Sequence, residues 1–228
     1  MKNSRDIEVL RDIARKYLEI CNDPEQTVKR DVWRRHNSFQ KTRIPIYIRA
    51  FAWCEMPDSK CVCKDDFLRI YENFLRESIF RSSFGDDFIF EPWVTVNAVN
   101  KCHGWGVSME RHFADRKDET LTAYKDEYPL KVLSDFEKLR MPWHEIDEKE
   151  TARLTKVIED AIGDLIAVNI DRGSVFRMFS GDISTYLGHL RGIENMMLDI
   201  YDNPEWLHRL LAFMRDGILR THEEAEKA

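Results

Sequence analysis

Several polar side chains that could take part in catalysis follow an apolar, strand-like stretch in the last quarter of the sequence. They come at the end of "SVFRMFSG" or directly after it, and they are Ser180, Asp182, Ser184 and Thr185. In parallel β/α folds the active site lies at the carboxyl ends of the strands. We therefore expect Asp182 to act as a general acid or base, and Ser180 and Thr185 to contact the substrate. The alternative is that Asp182 caps the backbone of the following helix.

A second candidate carboxylate is Glu91 in "FIFEPW", within another strand-like stretch. Carboxylates at strand ends in an apolar pocket acquire raised pKa values, so Glu91 and Asp182 are a candidate acid/base pair. His189, on the helix after the polar turn, is a third catalytic candidate. The competing interpretations are loop hydrogen bonding for Glu91 and a surface or packing role for His189.

Three further residues are candidates for substrate binding. Arg49 and Phe51 follow the strand-like "IPIYI", and Trp93 follows Glu91 by two positions. A guanidinium group suits the binding of carboxylates, and aromatic rings can form the wall of a pocket. Each aromatic side chain could equally belong to the core.

The cysteines and nearby histidines do not form a recognisable metal motif. Cys54, Cys61 and Cys63 have spacings unlike those of structural zinc sites, and Cys102-His103 is only a single pair. We expect no metal to be bound, and we expect His36 to lie at a helix surface or cap.

Composition excludes several classes of function. The 228 residues include 35 Lys and Arg against 41 Asp and Glu, for a net charge of −6, and no basic stripe is present. This argues against nucleic-acid binding. The sequence has neither a transmembrane-length apolar run nor an apolar N-terminal signal. We expect a cytoplasmic protein that acts on a small molecule.

Hydrophobic patterns predict alternating strands and helices. Stretches rich in β-branched and aromatic residues predict strands at 44–53, 86–96 and 174–181. Helices are predicted over 7–18, after "NDPEQ", from Asp65, from an Asp147/Glu150 capping box, and from Asn203-Pro204. This order favours an α/β fold with parallel β/α units, preceded by extra N-terminal helices, in a single domain spanning 1–228.

Two groups of residues resemble the uroporphyrinogen decarboxylase superfamily. "LRGIENMMLDIYDNPEWLHRLL" follows a strand-like stretch and a glycine-containing turn, as a similar pattern does in that superfamily. "NDPEQTVKRDVWRRHNSFQKTRIPIYI" and "GDDFIFEPWVTV" resemble the branch associated with corrinoid-dependent methyl transfer. The resemblance covers nearly the whole chain and is most specific over 22–50, 85–106 and 176–212.

The resemblance implies the N-terminal part of a (β/α)8 TIM-type barrel. Such barrels need eight strands and typically about 250 residues, whereas only three strands are predicted here. Members of the superfamily are also longer than this chain. We therefore expect an incomplete barrel, truncated at its C-terminus.

The activity implied by the resemblance is methyl transfer between a small methylated substrate and a corrinoid protein. The chain itself would bind no cofactor, since the corrinoid is carried by the partner protein. The His-x-Cys…Cys zinc pattern of better-known members is absent from this sequence.

Two alternatives remain open. The first is decarboxylation of a porphyrinogen, although the family's arginine-rich segment is reduced here to Arg49. Under this alternative the resemblance puts Glu91 at or near the position of the family's catalytic aspartate, and His189 aligns roughly with a tyrosine of the family. The second is a non-catalytic barrel fragment, or a subunit of a split barrel completed by a C-terminal half-barrel chain.

Overall fold

The computed structural model describes residues 4–49, 51–102, 104–113 and 124–228. These residues form a mixed α/β structure that is mostly helical. The helices are α1 (Ser4–Cys21), α2 (Glu25–Asn37), α3 (Asp66–Arg81), α4 (Glu148–Ile162), α5 (Ile183–Arg191), α6 (Ile193–Asp202) and α7 (Pro204–Ala225). The strands are β1 (Trp93–Asn97), β2 (Glu110–Phe113), β3 (Tyr124–Glu127) and β4 (Ala167–Asp171). No helix in these ranges combines the length and apolar character needed to cross a membrane.

The chain was expected to form one domain, and its contacts divide it into two compact units. The first unit comprises residues 1–97 and 152–171, and the second comprises residues 98–151 and 172–228. Each unit contains its own cluster of buried apolar side chains.

The core of the first unit is built from amphipathic helices and the apolar face of β1. α1 buries residues at helical spacing, including Leu10, Ala14 and Tyr17, and α3 does the same with Leu68 and Leu75. Asp65 caps α3 by accepting a hydrogen bond of 3.0 Å from the backbone N–H of Leu68, which confirms the predicted helix start.

The sheet of the first unit is a parallel pair, β1 with β4. Trp93 pairs with Ala167, and the register continues to Asn97 and Asp171. Parallel strands require a long crossover, and the chain between them includes α4, in agreement with the predicted β/α connection. Within the described residues this sheet has two strands, so a complete barrel is not formed.

The strand predicted at 44–53 was wrong. Residues 44–49 have no strand assignment, and residues 53–55 form a short 3-10 turn. Side chains satisfy the backbone instead: Asp87 accepts a hydrogen bond from the N–H of Ile46 at 2.8 Å, and Asp86 accepts one from Ile48 at 2.9 Å. Pro45 also offers no N–H to a sheet ladder.

The other two predicted strands were partly or wholly misplaced. Of the segment 86–96, only residues 93–96 lie in β1. The segment 174–181 contains no strand and ends in a 3-10 turn at 178–181. The strand in this part of the chain is β4, whose "AVNID" sequence comes just before that segment.

The second unit combines the antiparallel pair β2–β3 with helices α5 to α7. Trp105 is buried at its centre, and Gly217 on α7 leaves room for the indole, because a Cβ there would lie 2.6 Å from the Trp105 ring. Arg191 and Asp199 form a buried ion pair with an Nε–Oδ2 distance of 2.7 Å, which links α5 to α6. The predicted last helix, beginning at Pro204, is confirmed.

Candidate functional site

A cavity of about 600 Å³ lies in the first unit, between α3 and β1. Successive side chains of a strand point to opposite faces, so Trp93, Thr95 and Asn97 line the cavity while Val94 and Val96 are buried in the core. The remaining lining residues are Tyr17, Phe67, Ile70, Tyr71, Phe74, Ser78, Phe88, Ile89 and Glu91. The lining is therefore mainly aromatic and aliphatic, with a few polar groups, which is the usual character of a small-molecule site.

Two tyrosines of the cavity hold its walls together. The hydroxyl of Tyr17 donates to the backbone carbonyl of Glu91 at 2.9 Å, and that of Tyr71 donates to the carbonyl of Thr95 at 3.3 Å. Burial raises the pKa of Tyr71 to about 12 and also raises the pKa of Tyr17. Both phenols therefore stay protonated at neutral pH and act as fixed hydrogen-bond donors to the backbone.

Glu91 is the carboxylate among the residues that line this cavity. Its Oε2 lies 2.7 Å from Nη2 of Arg30 on α2, and both side chains are roughly one-third exposed, at 35% and 39%. The ion pair fixes the direction of the carboxylate but leaves part of it accessible to a ligand.

The position of Glu91 along the strand differs from the expectation. We predicted a strand over 86–96 with Glu91 along it, toward the carboxyl end, whereas Glu91 precedes β1 by two residues. The carboxyl end of β1 instead places Asn97 against the cavity.

The structure brings together only part of the predicted site in this unit. Glu91 and Trp93 both line the cavity, whereas Arg49 and Phe51 are not among its lining residues. Arg49 is exposed. Phe51 packs edge-on against Phe84, with ring centroids 5.1 Å apart.

The polar turn of the second unit is a helix cap. Asp182 accepts hydrogen bonds from the backbone N–H and the hydroxyl of Ser184, at 2.9 and 2.7 Å, and from the hydroxyl of Thr185 at 3.1 Å. These bonds lower the pKa of Asp182, the hydroxyl of Ser184 having the largest effect, whereas a raised pKa was expected. The capping alternative therefore describes the structural role of Asp182.

The neighbours of Asp182 also have local structural contacts. The Oγ of Ser180 accepts a hydrogen bond of 2.9 Å from the backbone N–H of Arg177 and lies 2.5 Å from the carbonyl oxygen of Val175, which closes the turn. His189 is exposed on α5, and its ring contacts that of Tyr186 at a centroid distance of 6.1 Å. Asp182 and His189 thus belong to the second unit, and Glu91 belongs to the first.

The thiol of Cys63 is not reactive at neutral pH. Burial, followed by the hydrogen bond to Glu72, raises the pKa of Cys63 to about 12, so it remains a thiol. Cys54 is exposed, and Cys102 is buried. His103, the proposed neighbour of Cys102 in a metal site, lies outside the described residues.

Sequence reasoning missed several residues of the cavity. Thr95 and Asn97 could have been found from strand alternation once Trp93 was placed on an exposed face. Tyr17 could not, because its role depends on the packing of α1 beside the residues that precede β1.

Comparisons of the chain with protein-family models, with curated proteins and with solved structures found no match.

Proposed function

We propose that the chain binds a small, largely aromatic methylated molecule in the cavity of the first unit and takes part in methyl transfer to a corrinoid carried by a partner protein. The observation that carries the proposal is the cavity itself, which combines aromatic walls with the carboxylate of Glu91 and the exposed indole of Trp93. The sequence resemblance over 22–50, 85–106 and 176–212 supplies the reaction class.

The proposal includes the finer description of the fold, the N-terminal part of a (β/α)8 barrel in a uroporphyrinogen decarboxylase-like protein. The parallel pairing of β1 with β4, with α4 directly before β4, supports it, because a helix leading into a parallel strand repeats in such barrels; here β2 and β3 also lie between β1 and α4. The composition and the expected small-molecule substrate are consistent with a cytoplasmic protein.

The residues of the cavity have distinct roles in this proposal. Trp93 and Phe74 contact the faces of the substrate ring. The substrate heteroatom keeps the electron pair of its bond to the methyl group when that group leaves, and it then takes up a proton. Glu91, oriented by Arg30, is the carboxyl group placed to relay this proton.

Binding and methyl transfer can be tested separately. Anisole, N-methylaniline and thioanisole form a matched series that differs in the heteroatom bearing the methyl group, and calorimetry would measure their binding to the full chain. Cobalamin reduced to the cobalt(I) state would stand in for the corrinoid protein, and its absorbance would report methylation. We expect both signals, with transfer reduced at least about tenfold by Glu91→Gln because a proton relay is removed.

The control for this experiment is Glu19→Gln on the exposed side of α1, which should leave both signals unchanged. Absence of binding for the whole series would reject the cavity as the substrate site. Binding without transfer would retain the site and reject methyl transfer. Porphyrinogen decarboxylation is less well supported, because no arginine or lysine is among the residues that line the cavity, although such a substrate carries many carboxylates.

A second candidate is a structural subunit of a split barrel. Each strand of the β1–β4 pair has one partner within the described residues, so each has a second edge that another strand could join. Asp182, Ser180 and Thr185 would then serve only in the cap and turn before α5, and His189 would have a surface role. Light scattering of the chain alone and mixed with a C-terminal half-barrel chain would test this, and a mass that remains monomeric in both samples would reject it.

A further inference from the structure

We propose that the β2–β3 hairpin of the second unit binds a divalent transition-metal ion such as Zn²⁺ through Glu110, His112 and Glu127. One nitrogen or oxygen donor atom from each residue lies within 4.8 Å of the donors of the other two. This site is separate from the cavity of the first unit and does not depend on the function proposed for that cavity.

The strand register places all three ligands on one face of the hairpin. Glu110 is paired directly with Glu127, and His112 follows Glu110 by two residues, so the three side chains point the same way. Nε2 of His112 lies 3.2 Å from Oε2 of Glu127 and 4.0 Å from Oε2 of Glu110. In a tetrahedral zinc site with bonds of about 2.1 Å, neighbouring ligand atoms lie about 3.4 Å apart. The two distances bracket that value, and small side-chain rotations would close the site.

The two glutamates of the cluster can bind a cation, which would compete with the ammonium groups of Lys131 and of Lys125, the residue paired directly with His112. Two like charges directly opposite one another destabilise an antiparallel pair, and here both residues are glutamates. The ammonium group of Lys131 contacts Oε1 of Glu127, whereas Oε2 of Glu127 faces His112. Imidazole nitrogen and carboxylate oxygen are both ordinary zinc ligands, so a bound ion would neutralise the glutamates and use the histidine as well.

The opposite face of the hairpin holds the ligands in register. Arg111 makes two hydrogen bonds to Asp126, at 2.7 and 3.2 Å, and its guanidinium lies 3.9 Å from the centroid of the Tyr124 ring. The rings of Phe113 and Tyr124 contact at 6.1 Å. A site whose supporting residues are already fixed loses less entropy on binding a metal.

The three ligands would leave a coordination position for water or a small ligand. His112 and Glu127 also line a depression of about 470 Å³, together with Lys125, Asp126, Tyr128, Leu130, Lys131 and Asn195. Three protein ligands with an open fourth position are typical of zinc sites that exchange ligands.

Calorimetric titration of the metal-free full chain with Zn²⁺ tests the proposal. Both Cys54 and Cys61 would be replaced by serine in every sample, so that these thiols cannot account for binding. We expect one site per chain, weakened more than about tenfold by His112→Ala, since loss even of a supporting residue costs 10–100-fold. His208→Ala removes an exposed histidine of α7 and should leave affinity unchanged. Lys131→Gln should tighten binding, because Glu127 loses a competing partner.

A second measurement does not depend on how the variants fold. Substoichiometric Mn²⁺ added to the full chain, with the residues of β2 and β3 unchanged, should broaden the NMR signals of the His112 ring before those of the other histidines. Equal broadening of all histidines, no detectable Zn²⁺ binding, or equal affinities for the His112→Ala and His208→Ala variants would overturn the proposal.

Discussion

The hydroxyl of Tyr17 on α1 donates a hydrogen bond of 2.9 Å to the backbone carbonyl of Glu91, two residues before β1. This bond joins a core helix to the segment that carries the proposed proton-relaying carboxylate. The Tyr17 ring also packs edge-on against Phe74, a neighbouring residue of the cavity wall, with centroids 5.9 Å apart. The hydrophobic core and the cavity therefore share a side chain.

Replacement of Tyr17 by phenylalanine tests this link. The ring stays, but the half-buried carbonyl of Glu91 loses one of its two donors and keeps the N–H of Trp93 at 2.8 Å, so we expect a loss of at most about 1 kcal/mol in unfolding free energy. We also expect weaker binding of the methylated series, because Glu91 is less firmly placed. Chemical denaturation and calorimetry would measure both effects, with Tyr201→Phe as control since that side chain is 84% exposed. Unchanged ligand affinity in Tyr17→Phe would contradict the positioning role.

The features that could be predicted from sequence are local ones. The helix starts after Asp65 and at Pro204 depend on residues close in sequence, and both are confirmed, although the side chain of Asn203 donates to Asp199 and does not cap α7. Half of the predicted capping box is seen: the N–H of Glu150 donates to Asp147 at 3.0 Å, whereas the N–H of Asp147 donates to the carbonyl of Val99 at 2.8 Å. Asp182 is a similar case, since the short spacing to Ser184 already allowed a cap.

The features that could not be predicted depend on distant partners. Residues 44–49 have the composition of a strand, but the backbone N–H groups of Ile46 and Ile48 donate to the side chains of Asp87 and Asp86, respectively. β4 is short and alternates apolar and polar residues, so its sequence was a weaker signal than the apolar stretch that follows it. Glu91 and Trp93 could be predicted as residues of the site, whereas Tyr17 could not, because its place in the cavity depends on a contact with residues distant in sequence.

The two faces of α3 should respond differently to truncation. Leu75 is fully buried in the core of the first unit, whereas Ile70 is 62% exposed and lines the cavity. Leu75→Ala should lower the unfolding free energy by about 2–5 kcal/mol because it leaves a void. Ile70→Ala should change it by less than about 0.5 kcal/mol, yet weaken binding of the methylated series. The same loss of stability in both variants, measured by urea denaturation, would show that Ile70 belongs to the core instead.

Asp87 should make the first unit sensitive to strong acid. Arg43 contacts it at 2.6 Å and, with the N–H of Ile46, lowers the pKa of Asp87 to about 2, below its ordinary value of 3.8. The folded state therefore gains stability from this carboxylate above pH 3.8 and loses it as the pH falls toward 2. Asp87→Asn should be less stable than the wild type near neutral pH, and the difference should shrink in that acidic range. Denaturation curves at several pH values would show this, with Asp66→Asn, an exposed residue of α3, as control.

His144 should make the second unit sensitive to mild acid. Its side chain is 9% exposed, and neither ring nitrogen has a hydrogen-bond partner among the described residues. Burial lowers the pKa of His144 below 6.5, an effect opposed by Glu224 and reinforced by Arg172. The unfolded chain therefore takes up this proton more readily, so stability should fall as the pH drops below about 6.5. His144→Phe should remove that part of the pH dependence, whereas His208→Phe at an exposed site should retain it; identical pH profiles for the wild type and His144→Phe would refute the assignment.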